Sequence, residues 1–174
     1  MISLLRPLLS VAFVLTLTLL SQGNDFLRHN VVKQLQETRR CVGCNLSGVN
    51  LSGANLQGVD LRSTDLQGAN LKNTNLRYAN LQWVDLRSAN LQGADLTGAN
   101  LSITSLVESN LQEANLQASN LGMSDFRNSN LSRANLVKAS IGQNIQKSHS
   151  VNLCETILPN SMISARCNNM PAQN

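Results

Sequence analysis

At 174 residues with 42% hydrophobic content, the chain carries enough apolar material for one domain, and its 3% aromatic content makes any core aliphatic. Fourteen Lys and Arg against ten Asp and Glu leave a formal charge of +4. A charge this modest, dispersed along the sequence and without an aromatic-lined basic groove, argues against nucleic-acid binding.

Residues 1–23 read as a secretory signal. Arg6 supplies the positive start, Leu8 to Leu20 an apolar run of thirteen, and Ser21-Gln22-Gly23 the small-x-small cleavage pattern. Thirteen residues fall short of the roughly twenty that a membrane span needs, so the expectation is a cleaved, exported chain starting near Asn24 with no membrane attachment. An uncleaved anchor is the alternative.

Residues 24–40 read as a helix. Asn24 or Asp25 caps its start, Leu27, Val31 and Leu35 form one apolar stripe, and Arg39 and Arg40 are expected in its last turn. Cys41-Val42-Gly43-Cys44 follows. A reactive thiol is favoured at a helix N-terminus, whereas this pair comes after a helix C-terminus, where the dipole has the wrong sign for a thiolate. An even cysteine count behind a signal points instead to two disulfides, Cys41 with Cys44 and Cys154 with Cys167.

From residue 41 to 141 the chain keeps a strict beat. Leu46, Leu51, Leu56 and their successors through Phe126 to Ile141 fill twenty consecutive positions five residues apart, and Asn or Asp precedes eighteen of them. A small residue stands two places before each. Neither a helix, at 3.6 residues per turn, nor a flat strand, at 2, has this period. A chain that bends every five residues does, with each leucine inside and the next two residues on the bend. Four bends close a coil of about twenty residues, and coils stacked at the roughly 4.8 Å strand spacing give about five coils. Gly48, Gly53, Gly58, Gly68, Gly93 and Gly98, with Asn73 and Asn128, occupy the second bend position, which favours a positive φ. Tyr78, Trp83, Ile103 and Met123 occupy it too, and a different turn is expected there.

This block resembles the pentapeptide-repeat family, with its A(D/N)LXX consensus. The resemblance implies an all-β fold, a right-handed quadrilateral β-helix with leucines and small residues inward. The helix at 24–40 is then expected as an α-helical cap on the first coil, covering an edge that would otherwise invite pairing. The family resemblance also favours a periplasm or thylakoid lumen as the compartment.

Residues twenty apart should lie in columns. Asn50, Asn70, Asn90, Asn110 and Asn130 are expected to bond from coil to coil through their amides. Asp65, Asp85 and Asp125 share a column beside Arg87 and Arg127, a compensated face more than a calcium site. Trp83, Ile103 and Met123 fall in one outer column between Ser63 and Gln143, with Tyr78 on the adjoining bend, forming a candidate partner patch.

After Ile141 the beat fails, with Gln146 where a leucine belongs, and resumes shifted by two at Leu153, Leu158 and Ile163. Residues 142–167 are therefore read as a loop and irregular last coil with a disulfide cap, and 168–174 as a tail. The segment from Leu153 to Asn160 resembles the last coil of cyanobacterial-type family members.

No catalytic, cofactor or metal constellation stands out. His29 and His149 lack triad partners, and Glu108 and Glu113 sit on adjacent outer bends with no cleft implied. The functional expectation is a non-enzymatic structural or protein-interaction module with an unidentified protein partner, either monomeric or an end-to-end or side-to-side dimer. The alternative is a DNA-mimicking topoisomerase-interacting protein. Seven acidic against seven basic residues in the repeats give it no polyanionic field.

Overall fold

The computed structural model of the chain describes residues 33–142, Ile145 and residues 150–165. The signal segment, residues 24–32, Gln143, Cys167 and the tail lie outside them. Through the repeats the chain turns once every five residues. The small residue's N–H bonds the carbonyl of the leucine three places before it, as in Ala54 to Leu51 and Ala94 to Leu91, both 3.0 Å. Between turns the backbone pairs in parallel with the residue twenty further on, Asn45 with Asp65, Asn50 with Asn70, and so on to Asn115 with Asn135. The same register joins β1 (Asn120–Leu121) to β2 (Ser140–Ile141). Four turns per twenty residues give a four-sided coil.

The leucines from Leu51 through Leu116 are fully buried, with Phe126 continuing the series at 4% exposure. Small hydroxylated residues enter the same core because each finds an acceptor. Thr64 bonds the carbonyl of Cys41, Thr74 that of Leu51 and Thr104 that of Leu81, while Ser109, Ser119 and Ser129 bond the carbonyl three residues before them, of Leu106, Leu116 and Phe126. A buried hydroxyl without such a partner would be costly.

The ladder between coils has a direction. In each repeat two N–H groups point toward the C-terminal end, such as Leu51 to Asn70 O and Gly53 to Lys72 O, while one points back, such as Asn70 to Val49 O. The N-terminal end of the rod therefore exposes an excess of carbonyls and the C-terminal end an excess of donors. Arg39 answers the first, its Nη1 donating to Gln57 O at 2.7 Å.

The bends are more uniform than the sequence implies. Tyr78, Trp83, Ile103 and Met123 take φ of 57°, 57°, 59° and 58°, close to the 65° of Gly48, so no separate turn type appears at the bulky positions. The reason is the ladder: the second bend residue must aim its N–H at the next coil. The positive φ does not by itself lengthen the ladder, since Tyr78 N–H reaches Thr97 O at 2.9 Å; the lengthening is greatest at the Trp83 bend. Trp83 N–H reaches Ser102 O at 3.3 Å and Val84 N–H reaches Leu81 O at 3.4 Å, against 2.9 and 3.0 Å at Gly93 and Ala94.

At the N-terminal end residues 33–38 are helical and Leu35 is fully buried. Arg39 and Arg40 are not in a last helical turn as expected: Arg39 is left-handed (φ 52°) and Arg40 already pairs with Asp60. Cys41 sits buried in a leucine's place, Gly43 takes the positive φ, and Cys44 takes the small position. The sulfurs of Cys41 and Cys44 are joined, with Cα atoms 5.6 Å apart. The beat thus starts one repeat before the first leucine.

At the C-terminal end pairing resumes at an offset of twenty-two, Asn130 with Asn152 and Asn135 with Ile157. Val151, Leu153 and Thr156 are interior. Leu158 is only half-buried and Ile163 is 71% exposed, contrary to the inward places the beat gives them. Ser161 (φ 65°) reverses the chain, Leu158 N–H bonds Met162 O at 2.7 Å, and Ile157 pairs with Ile163 in antiparallel fashion. A returning edge strand no longer directs side chains to the axis. Cys154 is disulfide-bonded, and its expected mate Cys167 lies outside the described residues.

Candidate functional site

The face that carries Trp83 is built from stacked rungs 63–67, 83–87, 103–107 and 123–127. Ser63 N–H bonds Gln82 O, Trp83 N–H bonds Ser102 O and Ile103 N–H bonds Gly122 O, which fixes Ser63, Trp83, Ile103 and Met123 in one line. Trp83 is 53% exposed, Ile103 43% and Met123 74%. Side chains at this bend position point outward because the same residue's N–H is committed to the ladder.

Beside this line runs the acidic column, and each of two acids is taken by an arginine two residues on. Arg87 Nε meets both Asp85 oxygens at 2.9 Å, and Arg127 Nε meets Asp125 Oδ1 at 3.0 Å and Oδ2 at 2.9 Å. The guanidinium hydrogen bonds hold both carboxyls below the ordinary aspartate range, against the opposing pull of burial. Arg62 does the same for Asp60 at a neighbouring column. At Asp95 burial pushes upward, yet hydrogen bonds from Thr97 and Arg77 outweigh it and the net shift is downward. Between the two Arg–Asp rungs lies an uncharged one, Ile103, Ser105 and Val107.

Tyr78 belongs to the adjoining bend and is 58% exposed. Its ring lies under Arg77, whose guanidinium carbon is 5.5 Å from the centroid, and across Gly98 on the next coil. A Cβ on Gly98 would sit 2.6 Å from that ring, so this glycine supplies room as well as a positive φ. Spacing of twenty places the two residues together, but their mutual dependence is not readable from the repeat.

The Asn column spends its oxygens at home more than between coils. Oδ1 of Asn70, Asn90 and Asn110 accepts the N–H two residues on, at 3.1 to 3.2 Å. Asn152 to Asn130, at 3.0 Å, is a rung of the expected kind, as are Asn75 to Asn55 and Asn120 to Asn100 in other columns. A carbonyl two bonds from the backbone satisfies the bend's otherwise spare donor first.

Glu113 pairs with Arg133 at 3.2 Å and Glu108 accepts from Ser88 at 3.3 Å. His29 and His149 lie outside the described residues. Among the described residues no group of three or more His, Cys, Asp or Glu is placed to hold a metal. What the sequence reading missed is a cleft of about 470 Å³ at the far end of the Trp83 face, lined by Met123 to Arg127, Ile145 and Val151. Its signal in the sequence is the broken beat after Ile141.

Comparison with known proteins bears on this geometry. A family model described as pentapeptide repeats matches residues 40–77, 64–102 and 109–142. A pentapeptide repeat protein of the Arabidopsis thaliana thylakoid lumen superposes with a TM-score of 0.62 at 28% identity, over 71% of this chain and 85% of that one. One from the cyanobacterium Cyanothece 51142 is 31% identical over 79% of this chain and 96% of its own, with a TM-score of 0.40. No curated protein matches the sequence. With the five-residue beat, the twenty-residue register and the filled interior in place, the chain belongs to the pentapeptide-repeat family, whose fold is the right-handed quadrilateral β-helix.

Proposed function

We propose that this chain is a non-enzymatic interaction module, exported to a periplasm or thylakoid lumen, that captures a protein partner along the Trp83, Ile103 and Met123 column with Tyr78 at its flank. The observation that carries the reading is that column. Large apolar side chains stand exposed in line on a polar exterior, and the other exposed large hydrophobics of the described residues, Val42, Met162 and Ile163, lie at the two ends. Export is supported by the apolar run after Arg6 and by likeness to a thylakoid lumen protein. In such an oxidising compartment Cys41–Cys44 and Cys154–Cys167 would staple the ends, and the helix at 24–40 would close the first coil.

A non-enzymatic role is supported by where the hydroxyls are. The buried Thr and Ser side chains named above donate to main-chain carbonyls inside a packed core, away from any substrate. The DNA-mimic alternative gains no support, since Asp60, Asp85, Asp95, Asp125 and Glu113 each face an arginine instead of forming an acidic strip.

The test is affinity capture from the native compartment with the tagged mature chain. Trp83→Ala combined with Ile103→Ala should keep the thermal unfolding profile of the parent and lose the captured partner. Undiminished capture removes the column from the mechanism.

A further inference from the structure

On the face that carries Trp83, alternate residues of each rung point outward. Every coil thus presents three side chains there: the second residue of one bend, the Asn or Asp position, and the first residue of the next bend. In rung 83–87 these are Trp83, Asp85 and Arg87, with Val84 and Leu86 buried between them. Rung 103–107 offers Ile103, Ser105 and Val107, and rung 123–127 repeats the first pattern with Met123, Asp125 and Arg127. The two ends of a rung therefore differ. One end carries a large apolar side chain. The other carries Val107 or a guanidinium drawn along the surface by its aspartate, with Arg87 Nε 2.9 Å from both Asp85 oxygens. A guanidinium held this way presents a flat face for stacking while its charge is already met. Tyr78, the other exposed large hydrophobic within the stack among the described residues, is laid across Gly98 at the adjoining bend.

We propose that this face binds a second copy of the same chain, as a parallel side-by-side dimer whose two-fold axis runs along the rod beside the Asp85 and Ser105 column. Such an axis lays each rung on its own copy with the ends exchanged. Trp83 then covers the Arg87–Asp85 pair of the second copy, where indole and guanidinium stack, and Ile103 meets Val107 in an uncharged centre. Met123 takes the Arg127–Asp125 pair in the same way. The two Asp85 carboxylates approach each other at the axis, but they lie between two Arg87 guanidinium groups and the four charges sum to zero. The other two-fold, with the rods antiparallel about Ser105, also brings aspartate to aspartate. It sets Arg87 on Arg127 in place of the indole, so charge selects the parallel pair. A second copy is the occupant because every one of these rungs carries both halves of the contact. The inference names the partner of the contact column proposed above and rests on that reading. Three rungs at the roughly 4.8 Å strand spacing make a patch about 15 Å tall, at the small end of specific interfaces, so the dimer is reversible.

Sedimentation velocity of the full mature chain, from about 1 μM to 1 mM, should show a reversible shift from monomer to dimer. Trp83→Ala should weaken self-association by about tenfold or more, as expected for a buried aromatic anchor. Ile103→Lys and Val107→Asp should each weaken it, and the two combined in one chain should restore it. The parallel axis sets position 103 against position 107, whereas the antiparallel one sets each against itself. Circular dichroism at monomeric concentration should match the parent for every variant. A chain that stays monomeric at the highest concentration overturns the proposal, and so does a dimer indifferent to Trp83→Ala. Failure of the combined variant to recover overturns the parallel arrangement. If the chain stays monomeric while Trp83→Ala with Ile103→Ala still abolishes affinity capture, the second copy fails and the contact column stands; if capture survives that pair as well, both fail.

Discussion

Residues 45–141 and residues 150–165 share one pattern, a small residue two places before a large apolar one, yet only the first makes a uniform stack. In the first each pairing steps by twenty; in the second it steps by twenty-two and then turns antiparallel between Ile157 and Ile163. Composition does not separate them, since Val151, Leu153 and Thr156 are as well buried as their counterparts below. What differs is the count of residues since the last coil. With two extra residues the core stays occupied, by Ile145, and parallel pairing survives at the new offset as far as Ile157. What ends the stack is the reversal at Ser161.

Substitutions can break or sharpen this contrast. The largest effect is expected for Leu91→Ala, in mid-stack and fully buried, which should lower unfolding free energy by about 2–5 kcal/mol. Ile163→Ala, on the exposed return strand, should stay within about 0.5 kcal/mol. Urea denaturation of the two variants measures both, and equal losses would mean the fold-back carries core weight after all.

Next come Thr74→Val and Thr156→Val. Each removes a hydroxyl that donates to a carbonyl of the coil below, Leu51 O at 2.9 Å and Leu131 O at 2.6 Å. Both should cost about 0.5–1.5 kcal/mol, the loss of one of the two hydrogen bonds each carbonyl accepts, since Ala54 and Ala134 N–H still reach Leu51 O and Leu131 O. A negligible loss at Thr156 alone would show the last coil to be loosely seated.

Effects of similar size and opposite sign are expected at two bends of the stack. Gly98→Ala forces a Cβ into a left-handed site against the Tyr78 ring and should cost about 1–2 kcal/mol. Trp83→Gly relieves the same conformation and its lengthened hydrogen bonds, raising stability by up to about 1 kcal/mol. Thermal midpoints that move in the same direction for both would refute the account of the bends.

The smallest effect is that of acid. Asp60, Asp85 and Asp125 have folded-state affinities for protons lowered by their arginines. Their contribution is therefore complete above the unfolded value of about 3.9 and declines as pH falls through the still lower folded values. The gain is modest because the pairs are partly exposed. Beyond residue 142 the only acidic residue is Glu155, so acid below the unfolded aspartate value of about 3.9 should loosen amide exchange in the stack before it alters exchange at Leu158 and Ser164. A stack more stable at pH 3 than at pH 6 would contradict the assignment.

Much of the fold was legible from spacing. Leu46 through Phe126 announced the interior, because a filled core selects one residue type at each inward place, while the step of twenty came with the resemblance to the repeat family. The pairing of Arg87 with Asp85 was legible as a compensated column. The φ of Trp83 was not, because local preference argues against it and only the ladder above imposes it. Nor was the exposure of Ile163, which carries the residue type of an interior place and lies past a reversal. The cleft was visible only as a missed beat.

The amino-acid order by itself determined which side chains go to the axis and where the chain bends, since both follow from a periodic demand for burial. Tertiary stacking alone decided the twenty-residue register, the common shape of the bends and the polarity of the rod. These depend on hydrogen bonds between residues twenty or more apart, and such a bond exists only where the intervening chain has the right length to bring its partner overhead.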